Sequence, residues 1–356
     1  MKNLKTQGYI LIDVDAAALN NAGKSTDTTY KNGVDTKRIS KNGETYVYVS
    51  GQAWRYWWRD TLQKSFGWEL SPITRDKSIA FTNANPLKYP DDDVFGYMRA
   101  AKEEVVDKKG KVKFNNVTVT RVSPLKNSAI ISVASTRPAR NWSGMSRQEG
   151  DAVPFVKDEY SAIMKGMFSL DLEQVGTFAN YNKTGFKNLT EQLKKEALEN
   201  GATEINDPFI KDANGEAHKL VRLEKVTRTK RILTTLQALK VISGGAMQTN
   251  NMADVTPKFI ILSTMKTGNH PFSHVFTNKG GKSQAVEFND EGLKEVLEDY
   301  KEQFEGKIYI GVRNGLLTTI QSDKLKKLVD ETPNVELSSV NKAIDSYCSD
   351  VEKLIN

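Results

Sequence analysis

The 356-residue sequence is poor in the side chains on which most active sites are built. Its single cysteine, Cys348, excludes an internal disulfide and a cysteine-built zinc site. It has three histidines, His218, His270 and His274; the last two are spaced His-x-x-x-His, but Gly268, Asn269 and Pro271 break the helix such a metal pair requires, so they read as loop histidines. There is no phosphate-binding Gly-x-x-x-x-Gly-Lys-Ser/Thr loop, no serine-nucleophile elbow and no dinucleotide fingerprint. Asp13 and Asp15 share one face of a strand without a third ligand, and Asp91-Asp92-Asp93 fits the first turn of a helix, where the macrodipole favours anions. Neither enzymatic chemistry nor a metal or cofactor is expected. No apolar run reaches the ~18 residues of a membrane span. The start, Met1 to Gln7, lacks the apolar core and small-residue cleavage site of a signal peptide, which points to the cytoplasm.

What is present describes a globular chain: 38% hydrophobic and 27% charged residues with a mean hydropathy of −0.52. The length suits one enlarged domain with insertions or two packed units. A net charge of +7 permits a polyanionic partner, although 44 acidic residues are interspersed with the 51 basic ones.

Residues 8–16 alternate, with Ile10, Ile12 and Val14 on one face and Tyr9, Leu11, Asp13 and Asp15 on the other, which predicts a half-buried strand. A short strand over 44–49 leads to Ser50, an N-cap, and a helix over 51–66 that Gly67 ends. Its wheel puts Trp54, Trp57, Trp58, Thr61 and Leu62 on one side and Gln52, Arg55, Tyr56, Arg59 and Gln63 on the other. Residues 67–126 follow no simple period and read as a partly helical insertion, with a helix expected over 94–108. Strands follow over 129–135 and through Ala162–Leu172, separated by an irregular basic segment, 136–159. A second insertion contains a polar helix near 189–200. Ile232, Leu233, Leu236, Leu239 and Ile242 then mark a helix that stops at Gly244-Gly245, before a strand over 258–264. A helix over 291–304, a strand over 307–313 and helices beyond Asp323 complete the chain. With the insertions set aside the order is strand, helix, strand, strand, helix, strand, that of the ferredoxin-like RNA-recognition modules.

Three segments carry residue types suited to nucleic acid. Arg55 and Arg59, one turn apart and flanked by Gln52, can follow adjacent phosphates, the alternative being a solvated helix face. Segment 136–159 offers Arg137, Arg140 and Arg147 for phosphates and Trp142 or Met145 as a wedge between bases. Gly244-Gly245, followed by Gln248, allows a backbone to approach a strand closely, or is a helix C-cap.

Together these segments resemble the DevR/Cst-type backbone subunits of type I-B CRISPR surveillance complexes, in the Cas-seven superfamily. The likeness lies in Ala18-Leu19-Asn20-Asn21-Ala22-Gly23, the run from Tyr48 to Arg59 that begins Tyr-Val-Ser-Gly-Gln-Ala-Trp-Arg, Phe95-Gly96-Tyr97, Val175-Gly176-Thr177-Phe178, and Ser243-Gly244-Gly245-Ala246 leading to Val255–Phe259. The resemblance implies an α+β fold: a ferredoxin-like, RRM-like palm with an inserted helical finger subdomain and a thumb hairpin. Its parts would be the palm (1–66, 127–135, 160–179 and 229–356), the finger (67–126), the thumb (136–159) and a second insertion (180–228), a rival for the thumb. It implies a non-catalytic protein that coats guide RNA (crRNA) as a homo-oligomeric filament, presents it to target DNA, and partners other Cascade subunits. Asn20, Asn21, Lys24, Ser50, Gln52, Arg55, Arg59, Gly244, Gly245 and Gln248 would then contact RNA from the palm, and Arg137, Arg140, Trp142, Met145 and Arg147 from the thumb. Two alternatives are open: a type III-like subunit cutting target RNA with Asp27 or Asp15, and a standalone single-strand-binding regulator.

Overall fold

The computed structural model describes residues 3–25, 33–76, 79–106, 112–145, 149–150, 153–182, 187–278, 280 and 285–356. Its centre is built from the alternating segments of the sequence. Strand β1 (Lys5–Ala17) is followed by helix α1 (Gly51–Phe66), β2 (Ile130–Ser132), β3 (Val153–Asp171), α2 (Lys225–Gln237) and β4 (Phe259–Met265). In space the strands run β4-β1-β3-β2 and every neighbouring pair is antiparallel, which is the ferredoxin-like arrangement expected from the element order. The tail adds α3 (Asp290–Asp299), β5 (Phe304–Val312), α4 (Thr319–Asp330), β6 (Val335–Ser338) and α5 (Val340–Leu354). Beyond β4 the sheet continues through β5 and β6, and beyond β2 through Glu44–Val49 and Arg38–Lys41.

One sheet face packs on α1, α2 and α5, with Ile10, Ile12, Met164, Phe168 and Leu262 facing the helices. At its middle Trp54 and Trp58 stack with ring centroids 5.5 Å apart, and both meet the Phe168 ring edge-on. The second face is closed as well. Tyr9 and Leu11, expected to point outward, are fully buried with Phe259, Ile261, Phe272, Leu293 and Leu328, because residues 271–278, α3 and α4 pack over this face of the sheet. Only Asp13 and Asp15 of that β1 face are exposed.

Helix α1 follows its sequence signals. Ser50 caps it, its Oγ accepting the Ala53 N–H at 3.3 Å, Gly67 ends it in the left-handed region at φ 66°, and the five buried residues are the five on the apolar side of the wheel. The insertion 67–126 departs from expectation. Its helix is Pro90–Phe95, and the segment predicted to be helical from Val94 is a strand, Tyr97–Val106, paired with Val112–Arg121. Gly96 makes the break: it has a φ of 77°, and a Cβ there would sit 2.5 Å from the Arg121 carbonyl oxygen. The described part of the insertion 67–126, expected as a helical finger, is therefore mainly hairpin rather than helical.

The three aspartates of that short helix are buried rather than solvated. Asp93 accepts from Arg121, from Arg231 Nη1 at 2.7 Å and from the Gly176 N–H at 2.8 Å. Three regions distant in sequence meet on one carboxylate. Asp91 accepts the Ser71 N–H at 2.9 Å, and burial pushes its carboxyl up to about 6. Segment 180–228 forms a separate small layer, strands Thr203–Lys211 and Ala217–Arg222 with Thr177–Ala179 at the edge, covered by the helix Glu191–Glu199.

Candidate nucleic-acid interface

At the C-terminal end of β1 the chain turns at Asn20 and three of the singled-out segments meet. The Asn20 side-chain oxygen accepts the Ser50 N–H at 2.9 Å, while its carbonyl accepts the Lys37 N–H at 2.9 Å. The Leu19 carbonyl accepts the Ala246 N–H at 2.9 Å, and the Ser243 N–H donates to Thr61 Oγ1 at 3.2 Å. The turn after β1, the N-terminus of α1 and the loop after α2 are thus tied edge to edge. Gly244 is required by packing, since a Cβ there would lie 2.2 Å from the Trp57 ring. Gly245 has a φ of 109°, and Gln248 folds back so that its amide donates to the Gly244 carbonyl. Lys24 and Gln52 are exposed at the rim, and Asn20 and Asn21 are half-buried. The first turn of α1 holds no acidic residue, so its amides and dipole face outward without a built-in anion.

Arg55 has a different employment from the phosphate grip expected of it. Its Nη1 donates to the Leu125 carbonyl at 2.7 Å and to Asn127 Oδ1 at 3.1 Å, and its Nη2 to the Phe95 carbonyl at 2.7 Å and Ser123 Oγ at 3.0 Å. Its guanidinium lies 5.0 Å from the centroid of the Phe95 ring, with that of Arg59 at 5.6 Å from the same ring. Burial, with Arg59 nearby, lowers the Arg55 pKa to about 10. The insertion packs on this side of α1 and consumes the donors. Asn127, which nothing in the local sequence marks, connects this cluster to the interface, because its Nδ2 donates to the Gly51 carbonyl at 3.1 Å.

The described parts of segment 136–159 are mostly two paired strands rather than irregular. Ala139–Met145 pairs antiparallel with the first part of β3, from Ala139 opposite Glu159 to Met145 opposite Val153. Arg140 is bound within it: Nη2 contacts Asp35 at 2.5 Å and Nε contacts Asp158 at 3.2 Å, which clamps the strand Gly33–Thr36 onto the pair. Arg137 is exposed, and Trp142 keeps 60% of its surface accessible. Arg147 and the Met145 side chain lie outside the described residues, as does Asp27. His270 and His274 do not pair: His270 is bonded through Nε2 to the Gly8 carbonyl at 2.9 Å.

A family model described as "CRISPR-associated negative auto-regulator DevR/Csa2" matches residues 10–284, a span holding every segment of the interface. The chain belongs to the DevR/Csa2 family. Among solved structures it is similar to a chain of a "CRISPR RNA-guided surveillance complex", at 10% identity and a TM-score of 0.52 over 98% of this chain and 99% of that one. A chain of a "CRISPR RNA-guided surveillance complex, pre-nicking" gives 9% identity and a TM-score of 0.52 over 97% and 99%. At such identity the likeness establishes a shared fold for this DevR/Csa2 member. No curated protein matches it.

Proposed function

We propose that this DevR/Csa2 member is a non-catalytic backbone subunit of a type I-B CRISPR surveillance complex (Cascade), which polymerises along guide RNA and presents it for pairing with target DNA. The observation that carries the reading is the meeting of the Asn20 turn, the α1 N-terminus and the Gly244-Gly245 loop at one end of the sheet. That end offers backbone amides, a helix dipole, and the side chains of Lys24 and Gln52, a set that grips phosphates without reading bases. In RNA-recognition modules bases stack on the open sheet face. Here that face lies beneath a second core, which moves the strand to the sheet's end. Sequence reading is then left to guide–target pairing, and the protein supplies charge and shape. Segment 136–159 acts as the thumb in this reading, with Trp142 and Arg137 toward the strand.

Co-expression with partner subunits and a repeat-spacer transcript, followed by native mass spectrometry, tests the proposal. Several copies on one RNA are expected, reduced by Lys24→Glu with Gln52→Ala. An RNA-free monomer would overturn it. The proposal assigns the chain no cleavage step. Regular cuts in target RNA with manganese, abolished by Asp15→Ala or Asp27→Ala, would replace it with the type III-like reading.

A further inference from the structure

A cavity of about 330 Å³ lies between the base of the finger hairpin, the end of β3 and the 180–228 layer. Asp171, the last residue of β3, lines it. It is eleven residues along that strand from Tyr160, whose hydroxyl accepts the Leu19 N–H at the proposed guide interface. Asp171 and Tyr160 are roughly 35 Å apart along the strand, while Lys126, which also lines the cavity, adjoins Asn127, whose Nδ2 donates to the Gly51 carbonyl at 3.1 Å.

Its mouth is built to display an aromatic ring. Strand Thr203–Lys211 leaves its ladder with Ala217–Arg222 between Asn206 and Lys211, where Pro208 sits. Asp207, buried, fixes this bulge by accepting the Phe209 N–H at 2.8 Å, the Ile210 N–H at 3.2 Å and the Tyr181 hydroxyl. The result is Phe209, 66% exposed, on a stiffened turn, with Val122, 68% exposed, also at the cavity. A large apolar side chain left in water on a braced turn suits a ligand with a flat face.

The charges around the cavity are mostly neutralised. Asp171 pairs with Lys5 at 3.4 Å, Glu173 with Arg222 at 3.0 Å, and Arg121 with Asp93. Lys126 is left, exposed and with no ion pair among the described residues. The site therefore offers a wall of mixed polar and apolar side chains, an aromatic platform and the exposed cation of Lys126, at the small end of the volumes that hold small molecules. We propose that it binds a nucleoside monophosphate unit, its base against Phe209 and its phosphate at Lys126.

Titration of the full chain with uridine 5′-monophosphate, followed by calorimetry, tests this. One saturable site is expected, weakened about tenfold by Phe209→Ala through lost stacking and about tenfold by Lys126→Glu through lost charge pairing. Both residues are exposed, so both variants should fold. Uridine, which lacks the phosphate, should bind more weakly and be indifferent to Lys126→Glu. Lys24→Glu and Gln52→Ala should leave the affinity unchanged; if they abolish binding while the cavity variants do not, this proposal falls and the guide-interface reading stands. Absence of saturable binding, or displacement of the nucleotide by N-acetyl-tryptophanamide at lower concentration than by adenosine 5′-monophosphate, would also overturn it. Competition by hexauridylate separates the sources: displacement assigns the site to a nucleotide within a strand, and its failure to a free nucleotide.

Discussion

Replacing Asp93 by alanine removes a link between the insertion 67–126 and both α2 and the turn after β3. The carboxylate is fully buried, and the Arg121 and Arg231 side chains that it neutralises are 3% and 6% exposed. The substitution leaves two guanidinium groups out of water without their counter-ion and leaves the Gly176 amide without its acceptor. Breaking a buried pair in this way costs about 3–5 kcal/mol, against a total stability of about 5–15 kcal/mol for a folded domain. Urea unfolding monitored by tryptophan fluorescence should show a large fall in midpoint with the slope retained. A cycle of Asp93→Ala, Arg231→Met and the double variant should show a coupling of at least about 1.5 kcal/mol, since the two side chains are in direct contact. A loss below about 1 kcal/mol, or no coupling, would refute the view that this carboxylate joins the regions.

Arg55→Ala should lower stability by on the order of 3 kcal/mol, because four charge-assisted or polar bonds are lost together; thermal unfolding checks it, and an unchanged midpoint with a flatter salt dependence of RNA binding would return Arg55 to the phosphates. Gly244→Ala forces a methyl into Trp57, so about 1–3 kcal/mol of overpacking, a shifted tryptophan emission and weaker RNA binding are expected. Asp91 has its folded-state pKa raised from 3.8 to about 6 by burial, so its contribution to stability is complete below about pH 3.8 and is lost as the pH rises through 6. Asp91→Asn should therefore gain stability relative to the parent between pH 4 and 6 and stay level above, as followed by denaturation at each pH.

Where structure is decided by neighbours in sequence, it could be read from sequence. Ser50, the Trp54/Trp57/Trp58 stripe and Gly67 define α1 to the residue, and the spacing of apolar positions gives the order of the central strands. Tyr97–Val106 misled because Met, Arg, Ala, Lys and Glu are good helix formers; pairing with the β-branched run Val117-Thr118-Val119-Thr120 overrides that preference. The helical wheel separated Arg55 from the tryptophans correctly, yet a wheel cannot tell which second surface comes to lie on the polar side. Tyr9 and Leu11 failed for the same reason: Phe272, Leu293 and Leu328, which help to cover them, are more than 250 residues away. At the interface the glycines and Ser50 carried local signals, whereas Asn127 and Asp158 acquire their roles only through contacts made in three dimensions.

Strand β3 has a further meaning for how this chain can change over time. It belongs to the central sheet in its second half and to the pair with Ala139–Met145 in its first, and from Val156 to Leu170 its even-numbered residues lie inward in both halves, with Ala162 half-buried between them. One parity therefore serves both halves. Deleting a single residue near Ala162 would turn one half inside out, placing either Lys165 and Ser169 where Met164 and Phe168 pack or Phe155 and Lys157 where Val156 and Asp158 are buried. Loops between the other elements can lengthen or shrink, but this strand can lose or gain residues only in pairs, and each pair would move its first half by about 7 Å relative to the sheet.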